Sequence, residues 1–292
     1  MVKISTIVLA YNVATEVVPT LKCAKHFSDE IIVIETGSTD NGETLKAVKP
    51  YANKIFSVTG SQDFAKWRNM GAKLASGDWL LYLDSDERVT PALANEIKLA
   101  ITKDTYSAYL ISRYEILLGR HLSHWGDPNV LRLIKKDKLE KWIGKLHEQP
   151  TINGPVGKLN NQLVHLSHKN IDEKIINTLN WSRLESDMLV KAGHPKMAGW
   201  RFFRIILTEF FHRFFKQRLW LDGTEGSVEI IYQMFSKFIT YVRLWEKQRQ
   251  PTLKQSYDNI DKQILEQWKT KWRKLPYYMI PILIPKEAER DI

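Results

Sequence analysis

Asp84 and Asp86, one residue apart at the end of an apolar run, are the side chains of this chain best placed for chemistry. The run is Trp79-Leu80-Leu81-Tyr82-Leu83, which reads as a strand buried on both faces. Side chains alternate along an extended chain, so the two carboxylates are expected on one side, with the small Ser85 between them leaving room for a ligand. Two oxygen ligands on one side suit a hard divalent cation, Mg2+ or Mn2+, that keeps waters and shares itself with substrate phosphates. The same residues also fit a strand ending in an acidic turn before a helix, with Thr90 as cap and Pro91 as first residue.

A frame for such a site is legible around it. Ile4–Ala10, Glu30–Glu35, Lys54–Val58 and Trp79–Leu83 read as strands, separated by helical stretches at Thr15–Phe27, Glu43–Val48 and Asp63–Ala75. That alternation predicts an α/β fold with a parallel sheet covered by helices, whose ligands sit at the carboxyl ends of the strands. The polar clusters fall there: Tyr11-Asn12, the turn from Glu35 to Asp40, and Asp84-Ser85-Asp86. Residues 104–170 read as less regular, with strands at Tyr106–Arg113 and Asn129–Ile134 and loops at Gly119-Arg120-His121 and Ile152-Asn153-Gly154-Pro155. From 171 on the chain becomes helical, at 172–192, 195–217, 224–249 and 253–274, broken at Gly193-His194-Pro195 and Gln250-Pro251. The predicted organisation is a catalytic domain over 1–170 (a binding part to about 103, then 104–170) and a helical region over 171–292.

Composition narrows the class. The hydrophobic fraction of 43% supports a packed core rather than disorder. A lone cysteine, Cys23, excludes an intrachain disulfide and a cysteine zinc cluster and points to a reducing, cytoplasmic compartment. Neither a leader peptide nor a run of about 18 uncharged apolar residues is expected. Residues 1–150 hold 20 basic against 18 acidic side chains, and residues 151–292 hold 23 against 15. The basic second half predicts an anionic partner, nucleic acid or an acidic membrane surface.

Four segments in order resemble the family 2 glycosyltransferases, inverting nucleotide-sugar enzymes with the GT-A fold. They are Ile7-Val8-Leu9-Ala10-Tyr11-Asn12, Ile32-Val33-Ile34-Glu35-Thr36-Gly37-Ser38-Thr39-Asp40, Trp67-Arg68-Asn69-Met70-Gly71-Ala72, and Gly77-Asp78-Trp79 through Asp86. Further segments, Leu131–Lys135, Gly144-Lys145-Leu146-His147-Glu148, Leu163-Val164-His165 and Leu221-Asp222-Gly223-Thr224-Glu225-Gly226, are similar to the lipopolysaccharide-core glucosyltransferases of the LgtF/WaaE type. The chain departs from the family in having Glu35 where Asp is usual, Thr36 where a second acid is common, and Val13 where Glu is common.

The resemblance implies a donor site of Ala10, Tyr11, Asn12, Glu35, Ser38, Asp40, Arg68, Asp84 and Ser85. Glu35 would accept the base N–H, while Asp40 serves as a helix cap or a ligand. Arg68 would contact the nucleotide or pair with an acidic strand-end residue. The divalent cation would sit on Asp86, with Asp84 assisting through ribose or water. Inverting displacement needs a carboxylate opposite the leaving group. Glu148 is the expected base, with His147 orienting it or touching the diphosphate, and Asp127 is the alternative.

Residues 200–216 place Trp200, Phe203, Ile206, Leu207, Phe210, Phe211 and Phe214 on one helical face, with Arg201, Thr208, Glu209, His212, Arg213 and Lys216 opposite. This suits a helix lying in a membrane interface as well as one docked on the protein. The run Tyr277–Pro285 is too short and too broken by proline to span a bilayer. The expected partners are a nucleotide-sugar donor, a lipid-linked saccharide acceptor such as lipopolysaccharide core, and the anionic inner face of the cytoplasmic membrane. A peptide or protein acceptor is the alternative within the class. A nucleic-acid-binding protein lacks any recognisable module here, and a nucleotidyltransferase would show a glycine-rich basic loop after the first strand, where Ala10-Tyr11-Asn12-Val13 stands.

Overall fold

The computed structural model describes residues 2–58, 63–125, 129–144 and 148–271. Contacts divide the chain into two compact units, Met1–Glu173 with Leu221–Gly226, and Lys174–Trp220 with Ser227 onward. The short excursion 221–226 thus belongs with the first unit, although it lies fifty residues beyond the expected boundary at 170.

In the first unit, β1 (Ile4–Ala10), α1 (Val17–Lys25), β2 (Glu30–Glu35), α2 (Glu43–Val48), β3 (Lys54–Ser57), α3 (Phe64–Leu74) and β4 (Trp79–Leu83) follow one another as strand and helix. The turn strand β5 (Glu87–Arg88) and α4 (Pro91–Lys103) come next, then β6 (Ala108–Leu117), β7 (Arg120–His121), β8 (Asn129–Lys135), β9 (Leu139–Ile143), β10 (Gln149–Ile152), β11 (Val156–Lys158) and β12 (Leu163–Ser167). The main sheet runs β3-β2-β1-β4-β8-β6-β12-β5, with β7 and β11 attached to β6, while β9 and β10 form a separate hairpin. β3, β2, β1 and β4 are parallel as expected. Beyond β4 the sheet is mixed, because β8 is antiparallel to both β4 and β6. The parallel expectation, drawn from the first hundred residues, holds for those four strands and does not extend to the strands that follow. The reason is local: β8 enters the sheet by direct return from the β6–β7 ribbon instead of through a crossover helix. Gly119-Arg120-His121, expected as loop, is partly strand, since Leu118 and Gly119 at φ +50° and +83° close a tight hairpin onto β7.

Alternation sets two cores. Ile4, Val8, Trp79, Leu81 and Leu83 face one way, with Leu21 of α1 and Leu93 and Ile97 of α4. Ile7, Leu9, Leu80 and Tyr82 face the other, with Trp67 of α3 and Trp142 of β9. All five side chains of β4 are essentially inaccessible, each burial contributing roughly 1.5–3 kcal/mol. Gly71 and Gly77 permit close approach: a Cβ on Gly77 would lie 2.8 Å from the Ser5 amide nitrogen and 2.9 Å from the Lys3 carbonyl oxygen.

The helices of the second half are α5 (Ile171–Lys191), α6 (Gly199–Phe211), continued by a π-helical turn His212–Lys216, α7 (Gly223–Gln248) and α8 (Leu253–Lys271). α6 begins four residues later than predicted, after Ala198 in extended conformation. Within the second unit, α5 and α7 meet along a polar seam of Lys174, Thr178, Ser182 and Ser186, spaced at every fourth residue. There Lys174 pairs with Glu229, Thr178 bonds the Tyr232 hydroxyl at 2.8 Å, and Gln233 donates to Glu229. Burial draws the Lys174 ammonium down despite Glu229 beside it.

Candidate active site

α3 delivers Arg68 to the carboxyl end of β4. Asp84 follows directly on β4, whose even-numbered face, Leu80 and Tyr82, packs against α3, and an α3 side chain reaches it. Arg68 is buried, donating through Nε to Glu148 at 2.6 Å and through Nη2 to Asp84 at 2.8 Å. Its guanidinium lies 5.0 Å from the Trp142 ring centre, which itself meets Tyr82 edge to face. Nη1 of Arg68 is a buried donor with no partner among the described residues.

Asp84 also receives Arg113 of β6, at 3.2 Å, and Arg132 of β8. Behind it stands Glu87, wholly inaccessible, accepting from Arg113 Nε at 2.8 Å, from Arg132 at 3.2 Å, and from the Asp84 amide at 2.9 Å. Three arginines thus meet three carboxylates. Burial works to raise the Asp84 carboxyl, but Arg132, Arg68 and Arg113 outweigh it and hold it well below the usual carboxylate range. Burial likewise opposes charge on Arg132, and Asp84 and Glu87 overcome it, raising its affinity for the proton.

Asp86 belongs to a different cluster. Alternation stops at Leu83, because residues 84–86 form a turn closed by the Glu87 amide on the Asp84 carbonyl at 3.1 Å. The two aspartates therefore do not act as a matched pair on one strand face, contrary to the expectation from spacing. Asp86, 37% exposed, lies 3.3 Å from His165 Nε2 of β12, whose Nδ1 is held by Glu115 of β6 at 2.5 Å. Burial disfavours charge on this imidazole, yet Asp86 and Glu115 prevail and push it up to about 10. Ser85 presents its carbonyl to Thr20 at 2.6 Å and to Arg88 at 2.9 Å.

A divalent cation fits Asp86, with His165 a second ligand only once its Nε2 proton is released. Asp86 is the accessible carboxylate here, and a ring nitrogen anchored by a carboxylate is the arrangement that orients metal-ligating histidines. Asp84 fits less well, its oxygens being taken by arginines. Among the described residues no three His, Cys, Asp or Glu side chains converge as a metal cage.

The loops after β1 and β2 are tied together. Asn12, at φ +51°, donates its amide to Ser38 Oγ at 3.0 Å and accepts from the Thr39 amide at 2.7 Å. The Ala10 carbonyl accepts from the Thr36 amide at 2.9 Å. Glu35 is buried and folds onto its own loop, accepting from the Ser38 amide at 2.5 Å. Asp40 caps α2, accepting from the Thr44 amide at 2.9 Å and from its hydroxyl, which holds the carboxyl low; its Oδ1 has no partner among the described residues. Tyr11 is 48% exposed, available to a ligand instead of packed. Asp127 and His147 lie outside the described residues.

Sequence reasoning missed Glu87, Arg113 and Glu115 as site residues and named Arg132 and His165 only within motifs. The available signal was a charge set between apolar neighbours in a strand, as in Leu131-Arg132-Leu133 and Tyr114-Glu115-Ile116.

Residues 5–184 match the family Glycosyl transferase family 2. The chain belongs to that family. The protein is a glycosyltransferase of the nucleotide-sugar-dependent kind, and its mixed sheet with a helical C-terminal region is of the GT-A type. It is 25% identical over 269 residues to an uncharacterized glycosyltransferase of Rickettsia conorii, covering 84% of this chain and 90% of that one. It is also 25% identical over 230 residues to the lipopolysaccharide core biosynthesis glycosyltransferase LpsC of Rhizobium meliloti, covering 75% and 83%. Among solved structures it is similar to glucosyl-3-phosphoglycerate synthase from Mycobacterium tuberculosis in complex with Mn2+, UDP and phosphoglyceric acid. That likeness has a TM-score of 0.43 at 15% identity, over 67% of this chain and 80% of that one.

Proposed function

We propose that this glycosyltransferase moves a hexose, glucose being the leading choice, from a nucleoside-diphosphate donor to a lipid-linked oligosaccharide such as lipopolysaccharide core, with inversion at the sugar. The observation that carries the reading is the end of β4: Asp84 stands among three arginines, one of which keeps a buried N–H with no partner among the described residues, and two residues on lies the exposed carboxylate Asp86. That set suits a pyrophosphate, with Arg68 Nη1 donating to a phosphate oxygen, while Asp86, joined by His165 once its Nε2 proton is released, would hold Mg2+ or Mn2+. The cation, when bound, neutralises charge on the leaving diphosphate. Asn12, Glu35 and Ser38 form the base-side rim. The relative named for lipopolysaccharide core synthesis supports the acceptor class.

Glu148 serves as base for the acceptor hydroxyl, and Arg68 fixes its Oε1 so that the second oxygen is the one left to take the proton. Glu148→Gln is expected to abolish transfer and leave donor binding intact; normal turnover would move the role to Asp127.

The protein acts at the inner face of the cytoplasmic membrane. No described helix is long and apolar enough to cross a bilayer. Instead Trp200, Phe203, Leu207, Phe211 and Phe215 form an exposed apolar stripe along α6 and its π-turn. Phe202 packs on Phe238, and Glu209 and Arg213, expected on the solvent side, pair with each other at 2.7 Å and are only 15% and 16% exposed. Arg201 and Arg204 flank Trp200 with their guanidinium groups over its ring, a basic and aromatic edge suited to anionic lipid headgroups.

A further inference from the structure

The segment Leu221–Gly226 joins the first unit, and its two acids grip the rim that follows β6. Asp222, buried, accepts from Ser123 Oγ at 2.7 Å, from the His124 amide at 3.0 Å and from His124 Nδ1 at 2.8 Å. Burial works to raise this carboxyl, and the His124 and Ser123 hydrogen bonds bring it down overall. Glu225 pairs with Arg120 at 2.9 Å. Gly223, at φ +76°, lets Arg120 approach: a Cβ there would meet its Nη1 at 3.2 Å.

The gripped rim is bonded directly to the strand that orients His165. His121 Nδ1 and the Leu122 amide both lie 3.0 Å from the carbonyl of Glu115, the residue that holds His165. His121 also stacks on Tyr114 at 3.7 Å. At the end of this segment stands His124, 35% exposed. A carboxylate on Nδ1 fixes a proton there, so that in the neutral ring Nε2 is the lone-pair acceptor. Among the described residues no partner contacts Nε2. A clamp that merely held the loop would need only the backbone amide and Ser123. The third bond, to the imidazole, fixes the orientation of the ring.

We propose that His124 is an acceptor-binding residue, receiving through Nε2 a hydrogen bond from a saccharide hydroxyl, and that Asp222 is its positioning residue. This rests on the saccharide-acceptor reading above. It makes the 221–226 segment part of the transfer site and gives the enzyme a means to select polyhydroxyl acceptors.

The test compares wild type, His124→Asn and His124→Gln, with the donor that best protects the protein from thermal unfolding and core-truncated lipopolysaccharide as acceptor probe. Asn keeps a polar atom near the Nδ1 position and with it the contact to Asp222, but lacks any counterpart of Nε2. Gln places an amide near Nε2. His124→Asn is expected to raise the acceptor KM at least tenfold, with donor KM and unfolding temperature unchanged, and His124→Gln to recover part of that loss. An Asn variant with wild-type acceptor KM, or one in which donor and acceptor KM rise together, overturns the assignment. Failure of wild-type protein to glycosylate the probe, while still protected by a donor, would instead overturn the acceptor reading on which it rests.

Discussion

Glu87→Gln is the sharpest probe of the arginine cluster. Glu87 is inaccessible and answers three donors: Arg113 at 2.5 and 2.8 Å, Arg132 at 3.2 Å, and the Asp84 amide at 2.9 Å. Glutamine conserves volume but removes the charge, and its single amide oxygen cannot serve both the arginines and the Asp84 amide. Whichever it leaves faces an NH2 group, and three arginines then confront two carboxylates. Deleting one partner of a buried ion pair costs about 3–5 kcal/mol. At roughly 2–4 °C per kcal/mol for a domain of this size, the first unit should melt at least about 6 °C lower. Urea unfolding followed by near-ultraviolet circular dichroism gives the free energy. Arg113→Met completes a cycle, because residues in one network couple by about 0.5–3 kcal/mol, and the double variant should lose less than the two single losses added. A Glu87→Gln protein within about 0.5 kcal/mol of wild type, or strict additivity in the cycle, would refute the picture of a charge-balanced cluster.

Other expectations follow from separate parts of the chain. Glu30, held down to about 2 by Lys54, Ser5 and the Ser76 amide against the opposing effect of its burial, has a folded value below its unfolded one. Its contribution is present above about pH 4.3 and is lost as pH falls toward 2, so Glu30→Gln should flatten the acid limb of a stability–pH curve. Gly77→Ala should cost about 1–3 kcal/mol in urea unfolding, since its Cβ would press on the Ser5 and Lys3 backbone; an unchanged midpoint would contradict that packing. Wild-type protein should sediment with phosphatidylserine vesicles at low salt and be released at high salt, and a Phe203→Ser/Phe211→Ser variant should bind weakly at either, because both rings are exposed. Equal binding by the variant would remove α6 from the membrane account.

The regular parts of the fold were legible because each carries a one-dimensional signal. β1, β2 and β4 alternate between two cores and so read as continuous apolar runs, and Thr90-Pro91 announces α4. β9 to β12 carry no such run; they are short, half-exposed and defined by partners far away in sequence. The site divides the same way. Asp84, Asp86 and Arg68 stood out by their position at a strand end or in a motif. Arg113, Arg132, Glu87 and Glu115 became visible only when pairing of β6 with β8 and β12 set them side by side. Alternation also misled: it holds through Leu83 and fails in the turn that carries Asp86 off to His165. Likewise Asp222, seen in sequence as part of a helical tail, gains its meaning from Ser123 and His124, almost a hundred residues earlier.

The central claim is a cation held at Asp86 and His165 against the diphosphate of a nucleotide sugar, and thermal unfolding with a panel of nucleotide sugars tests it most directly. A ligand at a hundred times its Kd stabilises by about 2.7 kcal/mol, or about 5–11 °C at the same scaling. One donor should protect wild-type protein in the presence of Mg2+ or Mn2+ and fail to do so in chelator, while Asp86→Asn protein should lose the difference between the two conditions. Protection of Asp86→Asn equal to wild type, or protection by no nucleotide sugar with either cation, would contradict the account.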